Sequence, residues 1–260
     1  MRMVVKIGTS TLTHPTGNMN IRRVEQLCRV LSDLKNAGHE IILVSSGAIG
    51  MGVGKLGLPG RPDDMPGKQA AAAVGQCELM YVYDKLFSEY HHTVAQILLT
   101  GEDIKIEDRR LNFCNTMSRL LEMRVLPIVN ENDTVSTHEI AVGDNDTLGA
   151  IVAVCAKADV LVLLSDIDGL YTADPHTDPD ARLIETIEDI TPGILALAGG
   201  SGSSLGTGGM KTKLHAAELC TEAGCDMIIA NGAQPALLYR VAEGESVGSR
   251  FVAKREGKRA

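Results

Sequence analysis

The chain has 260 residues, a formal net charge of −8 at pH 7 and 44% hydrophobic residues. This length is enough for one large domain or two lobes that bury a substantial core. The negative charge excludes the phosphate backbone of a nucleic acid as the main partner. With 3% aromatic residues and no Trp, the chain also offers no surface on which bases would stack.

Apolar strands and amphipathic helices alternate along the chain. The predicted strands are Met3–Ile7, Glu40–Val44, Thr93–Leu99, Val125–Val129, Val160–Leu164 and Asp226–Ala230. The predicted helices are Ile21–Leu34, Lys68–Tyr90, Asp108–Met123, Thr147–Lys157 and Lys211–Ala223. Asn20 is the expected N-cap of the first helix, which we expect to end at Gly38. Strands of Val, Ile and Leu between helices predict an α/β fold with a mainly parallel sheet covered on both faces.

Two further classes of protein are excluded by local patterns. The longest nearly apolar stretch, Leu148–Leu164, contains Lys157 and Asp159, so we expect no membrane span. Met1 leads almost directly into the first strand, which predicts no signal peptide and a cytoplasmic protein.

The cysteines include no CxxC pair, so we expect reduced core thiols and neither disulfides nor metal ligands. The cysteines are Cys28, Cys77, Cys114, Cys155, Cys220 and Cys225.

Glycine-rich loops follow the strands, where folds of this class bind their ligands. The first contains Gly8, the second is Ser45–Ala48, and the third is the segment 199–213, reading GGSGSSLGTGGMKTK. Such loops let backbone N–H groups approach phosphate oxygens, although each alone is equally typical of a linker or a turn. Lysines at two of them, Lys6 and Lys213, favour a phosphate site.

Polar residues crowd the end of the strand Val125–Val129. The segments 130–133, reading NEND, and 143–146, reading GDND, together carry four acids and three amides. Amides can donate to a carboxylate and accept from an ammonium group, whereas aspartate binds an ammonium group or holds a lysine. A solvated turn has a similar composition. The neighbouring glycine-rich loops favour a site for a small ligand that carries an ammonium group and carboxylates.

Two lysines from separate halves of the chain indicate phosphoryl transfer, because the migrating group needs positive charge and positioning. Two buried ammonium groups repel each other, and Asp146 is the candidate acid between them. The sequence contains no GxxxxGK[ST], HRD or DFG motif. The segment 52–57, GVGKLG, matches GxGxxG, but Pro59 and Pro62 follow where a dinucleotide-binding helix would run. We therefore interpret 52–57 as a loop.

The candidate site contains no evident general base. A hydroxyl acceptor would need one, whereas a carboxylate with a pKa of about 4.3 is already ionised at pH 7 and attacks unaided. His138 is the competing base, and we interpret it as a loop residue. A site of lysines, glycines and amides therefore fits a carboxylate acceptor.

Motifs over nearly the whole chain resemble those of the amino-acid kinase family. They are VVKIGTS at 4–10, VSSGAIGMG at 44–52, KQAAAAVGQ at 68–76, NEND at 130–133, VGDND at 142–146, SDIDGLYTADP at 165–175 and GTGGMKTK at 206–213. Several members, including uridylate kinases, share the first lysine and GLYTADP. NEND and VGDND together with GTGGMKTK resemble the members that phosphorylate glutamate. The resemblance implies a three-layer αβα sandwich, with an amino lobe (1–155) for glutamate and a carboxyl lobe (156–260) for ATP.

The resemblance also implies a role for each candidate residue. Ser46, Gly47, Asn130, Asp133 and Asn145 would hold glutamate. Lys6 and Lys213 would stabilise the transferred phosphoryl group, and Asp146 would orient both lysines. ATP would be bound by Lys6, Gly8, Ser165, Asp166, Tyr171, Asp174, Pro175, Thr207, Gly208, Gly209, Met210, Lys211, Thr212 and Lys213. Mg²⁺ would bridge the ATP phosphates, and no residue is identified as its ligand. The product would be L-glutamyl 5-phosphate, made in the first step of proline biosynthesis.

The resemblance extends to assembly and regulation. Family members commonly form dimers or tetramers, and the helix 68–90 carries more apolar groups than one face can bury, so we expect a homo-oligomer. A helix that is wholly internal is the alternative. Feedback by proline is a family trait. Many glutamate-phosphorylating members continue into a PUA domain, whereas this chain ends at Ala260, and the resemblance is to a form without that domain.

Two rival functions remain at this point. A kinase that acts on acetylglutamate or UMP would keep the fold but lose the NEND and VGDND segments. A non-catalytic nucleotide-binding regulator would replace one of the lysines or Asp146. The sequence retains all of these features.

Overall fold

The computed structural model describes residues 1–14, 18–136, 144–175, 177–198 and 209–254. Within these ranges a single sheet has eight strands in the order β3-β4-β2-β1-β5-β7-β8-β6. The strands are β1 (Arg2–Ile7), β2 (Glu40–Ser45), β3 (Val94–Leu99), β4 (Leu126–Glu131), β5 (Val160–Ser165), β6 (Thr186–Ile187), β7 (Asp226–Asn231) and β8 (Ser249–Phe251). Neighbouring strands are parallel except β7 and β8, which are antiparallel. The predicted mainly parallel sheet is confirmed.

Helices connect the strands and cover the sheet. They are α1 (Thr9–Leu12), α2 (Ile21–Asn36), α3 (Ala48–Leu56), α4 (Met65–Ser88), α5 (Gly101–Lys105), α6 (Glu107–Glu122), α7 (Asn145–Cys155), α8 (Pro192–Leu197), α9 (Met210–Glu222) and α10 (Leu237–Ala242). The Asn20 side chain accepts a hydrogen bond from Arg23 N, as expected of the N-cap of α2. In the described part of the chain, no helix has the length and apolar character needed to cross a membrane.

The two faces of the sheet carry separate cores, so the fold is the three-layer αβα sandwich. Alternate residues of each strand point to opposite faces. Val4 lies in the core formed with α6, α7 and α9, whereas Met3 and Val5 lie in the core formed with α2, α4 and α10. All three side chains are fully buried. Because β1 pairs with both β2 and β5, the two halves of the chain share one continuous sheet.

The helix α3 corrects the interpretation of segment 52–57 as a loop. Gly52 to Leu56 form the second half of α3, and Gly57 ends the helix with a positive φ of 63°. A Cβ at Gly52 would lie 1.8 Å from the carbonyl oxygen of Ala71 on α4, and one at Gly75 would lie 1.8 Å from the carbonyl oxygen of Ala48. The glycines therefore serve the close packing of two helices.

The prediction that all cysteines are reduced is wrong for one pair. Cys114 on α6 and Cys155 at the end of α7 are joined by a disulfide, with Cα atoms 5.4 Å apart. The two helices lie on the same face of the sheet, and this packing brings together residues that are 41 positions apart. Cys28, Cys220 and Cys225 are buried free thiols, as expected, whereas Cys77 is exposed and does not belong to the core.

Candidate active site

The central feature of the site is an aspartate held between two lysines. Lys6 Nζ lies 2.6 Å from Asp146 Oδ1, and Lys213 Nζ donates to Asp146 Oδ2 at 3.0 Å. Asp146 is 1% exposed, and the side chains of Lys6 and Lys213 are 11% and 7% exposed. Thr212 Oγ1 also donates to Asp146 Oδ2, at 3.1 Å. The predicted grouping of these two lysines around one acid is present.

Three different elements bring these side chains to the carboxyl edge of the sheet. Lys6 lies near the end of β1, between β2 and β5. Asp146 lies in the first turn of α7, whose N-cap Asp144 accepts from Thr147 N. A Cβ at Gly149 would lie 3.4 Å from Lys6 Cβ, so the absence of a side chain there lets α7 pack closely against β1. Lys213 lies at the end of the first turn of α9.

The ionic state of the cluster follows from its charges. Burial alone would raise the pKa of the Asp146 carboxyl, but the ammonium groups of Lys6 and Lys213 outweigh burial and hold this pKa below its ordinary value. The aspartate is therefore a carboxylate at neutral pH. Two ammonium groups and one carboxylate leave a net positive charge in a largely buried place, which suits an anionic group such as a phosphoryl group.

A chain of amide side chains lies beside this cluster. Asn145 Nδ2 donates to Ser46 Oγ at 2.6 Å and to Asn130 Oδ1 at 3.2 Å. Asn130 Nδ2 donates to Gln76 Oε1 at 2.9 Å, and Glu131 N donates to Asn130 Oδ1 at 2.9 Å. The structure thus joins Ser46, Asn130 and Asn145, which the family resemblance implied as members of one subsite. Gln76 was not predicted as a site residue, although it ends the segment 68–76 that carried the resemblance.

Asp133 and Gly47 complete the described part of the predicted glutamate subsite. Asp133 is half-buried just beyond β4. Burial, and after it the charge of Glu131, raises the pKa of Asp133 to about 6, and Arg61 lowers it only in part. Gly47 has a positive φ of 103° and begins α3 with no side-chain cap. The first N–H groups of α3 are therefore available to an anionic ligand.

The residues predicted to bind nucleotide follow β5 and precede α9. Ser165 Oγ donates to Asp166 Oδ1 at 3.1 Å at the end of β5. Gly209 is the N-cap of α9 and makes no side-chain cap hydrogen bond. Gly8 follows β1 as the N-cap of α1. The N-terminus of α9, with Lys213 in the first turn, fits a phosphate group, because helix N–H groups and an ammonium group both favour negative charge.

Other predicted nucleotide residues lie in the segment that follows Asp166. Tyr171 donates to Asp168 Oδ2 at 3.2 Å, and Asn231 Nδ2 at the end of β7 donates to Asp168 Oδ1 at 2.7 Å. Asp174 and Pro175 are exposed in the following loop. Asp168 and Asn231 were not predicted as site residues, because their proximity depends on the pairing of β5 with β7.

Several predicted positions lie outside the described residues. They are Thr207 and Gly208, together with His138 and the first part of the VGDND segment, Val142 and Gly143. Within the described ranges, no group of three or more His, Cys, Asp and Glu side chains is placed to hold a metal ion.

Comparisons with known proteins agree with this geometry. The model of the "Amino acid kinase family" matches residues 1–231. A glutamate 5-kinase of Clostridium perfringens is 53% identical over 258 residues, which cover 98% of this chain and 96% of the relative. A glutamate 5-kinase of Carboxydothermus hydrogenoformans is 54% identical over 256 residues, which cover 98% of this chain and 68% of that longer relative.

Two solved structures share the fold at low sequence identity. The carbamate kinase of Giardia lamblia bound to AMP-PNP superposes with a TM-score of 0.70 at 17% identity, covering 97% of this chain and 98% of that one. The isopentenyl phosphate kinase of T. acidophilum superposes with a TM-score of 0.67 at 18% identity, covering 96% of this chain and 100% of that one. Because the family model matches residues 1–231 and the glutamate 5-kinase of Clostridium perfringens is 53% identical, the chain belongs to the amino acid kinase family.

Proposed function

We propose that this chain is an ATP-dependent glutamate 5-kinase. It transfers the γ-phosphoryl group of ATP to the side-chain carboxylate of L-glutamate and gives ADP and L-glutamyl 5-phosphate, in the first step of proline biosynthesis. The observation that carries this proposal is the buried Lys6–Asp146–Lys213 cluster beside the Ser46–Asn145 hydrogen bond. Close relatives named glutamate 5-kinase support it.

The two lysines are the proposed catalytic groups. Phosphoryl transfer depends on positioning and on stabilisation of negative charge on the migrating group. Lys6 from β1 and Lys213 from α9 contact different oxygens of the Asp146 carboxylate, at 2.6 and 3.0 Å. In this proposal Asp146 orients both ammonium groups and keeps them together despite their repulsion. Both ammonium groups are then placed to donate to oxygens of the migrating group.

The acceptor needs no proton removed by the protein. The glutamate side chain has an ordinary pKa of about 4.3, so its carboxylate is already a nucleophile at pH 7. What the protein must supply is a fixed position for this carboxylate in line with the γ-phosphorus. That requirement agrees with a site composed mainly of amide, hydroxyl and ammonium groups.

The proposed glutamate subsite recognises both ends of the amino acid. Asp133 and the side-chain oxygen of Asn145 accept hydrogen bonds from the substrate ammonium group. Ser46 and the N–H groups that follow Gly47 at the start of α3 donate to a substrate carboxylate. Asn130 supports this arrangement through its 3.2 Å contact with Asn145. Glutamate bears one ammonium group and two carboxylates, and this set of donors and acceptors matches them.

The proposed ATP subsite lies on the β5 side of Lys6. Gly8, Ser165, Asp166 and the segment 207–213 would contact the phosphates, and Tyr171, Asp174 and Pro175 would line the nucleoside. Lys6 thus lies between the two subsites, in agreement with an amino lobe (1–155) for glutamate and a carboxyl lobe (156–260) for ATP. Bound Mg²⁺ would neutralise charge on the ATP phosphates; we name no protein ligand for it.

Assembly and regulation belong to the same proposal. We propose a cytoplasmic homo-oligomer, a dimer or tetramer, with feedback by proline at the glutamate side. The exposed face of α4 supports an interface: Tyr81 is 63% exposed, whereas Tyr83 and Phe87 on the same helix are fully buried. Leu58, in the segment that joins α3 to α4, is 37% exposed. Light scattering at micromolar protein concentration tests this part, and a fully active monomer would contradict it.

An ADP-release assay with a set of acceptors tests the proposed function. Purified protein with ATP and Mg²⁺ should release ADP rapidly with L-glutamate, and at background rates with N-acetylglutamate, aspartate or UMP. The Lys213→Met variant is the control for contaminating kinases. Activity with N-acetylglutamate or UMP but not with glutamate would replace this proposal by one of the sibling functions. ATP binding without activity on any acceptor would favour a nucleotide-binding regulator.

A further inference from the structure

We infer that Gln76 is a positioning residue of the glutamate subsite. This inference rests on the proposed function and adds to it a residue on α4 that makes no direct contact with the substrate in our proposal. Gln76 accepts a hydrogen bond from Asn130, and Asn130 in turn accepts one from Asn145. Gln76 thereby helps to hold the Asn130 amide, whose oxygen accepts from Asn145.

The contact network is buried and spans four parts of the fold. Gln76 on α4 is 7% exposed, and Asn130 at the end of β4 is 2% exposed. Asn145 begins α7 and reaches Ser46 after β2. Buried polar side chains in such a network are held by their partners, because water cannot replace a lost hydrogen bond easily. Gln76 lies at one end of this network, and Asn145, which directly precedes Asp146, lies two hydrogen bonds away from it.

A single backbone group sets the direction of every amide in the network. The N–H of Glu131 can only donate, and it points at the Asn130 side chain at 2.9 Å. The Asn130 atom on that side must therefore be the oxygen, so its NH₂ group faces Gln76. Because this NH₂ group can only donate, Gln76 must present its own oxygen, at 2.9 Å.

The same reasoning continues to the substrate. The Asn145 atom that faces Asn130 Oδ1 must be a donor, so it is the NH₂ group, which also donates to Ser46 Oγ. The remaining atom of the amide, Asn145 Oδ1, can only accept. An acceptor is what the ammonium group of glutamate requires. Gln76 therefore supports the recognition of that ammonium group through two intervening amides.

Loss of the Gln76 amide would leave the buried Asn130 NH₂ group without this acceptor. The Asn130 side chain would then be held on that side by the Glu131 N–H alone, and the cost of an unpaired buried NH₂ group would favour rotations that move its oxygen away from the Asn145 amide. Since one hydrogen bond of this kind is worth up to about tenfold in an equilibrium constant, we expect the KM for glutamate to rise about tenfold. The ATP side of the site does not include this network, so the KM for ATP should stay within about twofold.

The test compares Gln76→Met with a matched control on the same helix. Met has a similar length and no amide. Tyr83→Phe also removes a buried hydrogen bond from α4, the 2.8 Å contact with Ser45 Oγ, but leaves the amide network intact. Both variants should unfold at somewhat lower temperature than the wild type, and only Gln76→Met should raise the KM for glutamate. Calorimetric titration with glutamate gives the same comparison without turnover.

A double-mutant cycle separates positioning from general loosening. If Gln76 acts through Asn145, Gln76→Met should have little further effect on the glutamate KM in an Asn145→Ala background. Additive effects would overturn the inference, as would an unchanged glutamate KM in Gln76→Met or equal increases for both substrates. If the Met variant does not fold, Gln76→Asn, which is one methylene too short to reach Asn130, is measured in its place. A wild type that does not phosphorylate glutamate would contradict the proposed function itself, and the inference with it.

Discussion

Asp146 and Lys213 are 67 positions apart in the chain, and their side chains meet at 3.0 Å in a buried part of the protein. The aspartate lies in the first turn of α7 and the lysine at the end of the first turn of α9. The two helices lie side by side on one face of the sheet. Lys6 reaches the other oxygen of the same carboxylate from β1. Both lysines are therefore held by one aspartate that is distant from each of them in the sequence.

Replacement of either lysine should affect chemistry more than binding. We expect Lys6→Met and Lys213→Met to lower kcat by about 10²–10³-fold, because each ammonium group stabilises charge on the migrating phosphoryl group. The KM values for ATP and glutamate should change less. Steady-state kinetics measure kcat and KM, and the control is Lys254→Met, because the Lys254 side chain is 58% exposed beside Glu222, at the end of α9 opposite to Lys213. A variant with near-normal kcat would remove that lysine from the mechanism.

Replacement of Asp146 by Asn should reduce stability as well as activity. The variant leaves two buried ammonium groups without their shared counter-charge, and breaking a buried pair in this way costs about 3–5 kcal/mol. Urea unfolding at pH 7 measures this loss. Because the two lysines lower the pKa of Asp146, the wild type gains this stabilisation above the unfolded pKa of about 3.9 and loses it as the pH falls through the lower folded value. Equal stability of the two proteins at pH 7 would show that the ion pairs contribute nothing.

The affinity for glutamate should depend on the ionisation of Asp133. Its pKa in the substrate-free protein is raised to about 6, so below that pH the carboxyl group is protonated and cannot pair with the substrate ammonium group. We expect the KM for glutamate to rise by up to about tenfold per pH unit below about 6, as one proton competes with binding. The KM for ATP serves as the internal control. A flat profile for glutamate would exclude this role.

The same carboxyl group should lower the stability of the protein at neutral pH. An acid whose folded pKa is raised is harder to ionise in the folded state, so folding loses stability as the pH rises from about 3.8 toward about 6. Asp133→Asn removes this cost and should stabilise the fold by about 1–3 kcal/mol at pH 7 while weakening glutamate binding. Thermal unfolding of both proteins at pH 5 and pH 7 measures this difference in stability. A variant less stable than the wild type at both values would contradict the burial of this charge.

The close contact of α3 with α4 provides a prediction about packing. Gly52→Ala would place a Cβ 1.8 Å from Ala71 O, so the helices must move apart at a cost of about 1–3 kcal/mol. Because α3 begins at the glutamate subsite, the KM for glutamate should rise with the loss of stability. Gly60→Ala is the matched control, since its Cβ would meet nothing within 4 Å. Equal stability of both variants would mean that the contact relaxes freely.

Much of the fold could be predicted because its signals are local. Apolar periodicity placed β1, α2 and β5 within one or two residues of their observed ends, and parallel strands bring the residues at their carboxyl ends to one edge. The segment 52–57 was misinterpreted because its glycines are typical of a loop. In the structure they allow two helices to pack closely. The disulfide of Cys114 and the pKa of Asp133 depend on packing between distant segments, so no local pattern encodes them.

Part of the site could also be predicted, because some of its residues lie in local sequence patterns. Ser46, Asn130 and Asn145 lie at strand or helix ends, where polar residues and glycine-rich loops indicate a ligand site, and the family resemblance implied their roles. Gln76 lies inside a long helix, where a polar residue is usually on the solvated face. Its role becomes visible only when α4 packs against β4 and buries the amide beside Asn130.

Identification of the product is the most direct test of the central claim. Wild-type protein is incubated with ATP, Mg²⁺, L-glutamate and hydroxylamine, which converts an acyl phosphate into a stable hydroxamate. We predict that mass spectrometry detects the γ-hydroxamate of glutamate in an amount equal to the ADP released, and that Lys213→Met forms both about 10²–10³-fold more slowly. ADP release without hydroxamate, or hydroxamate formation by the Lys213→Met variant at the wild-type rate, would contradict the account.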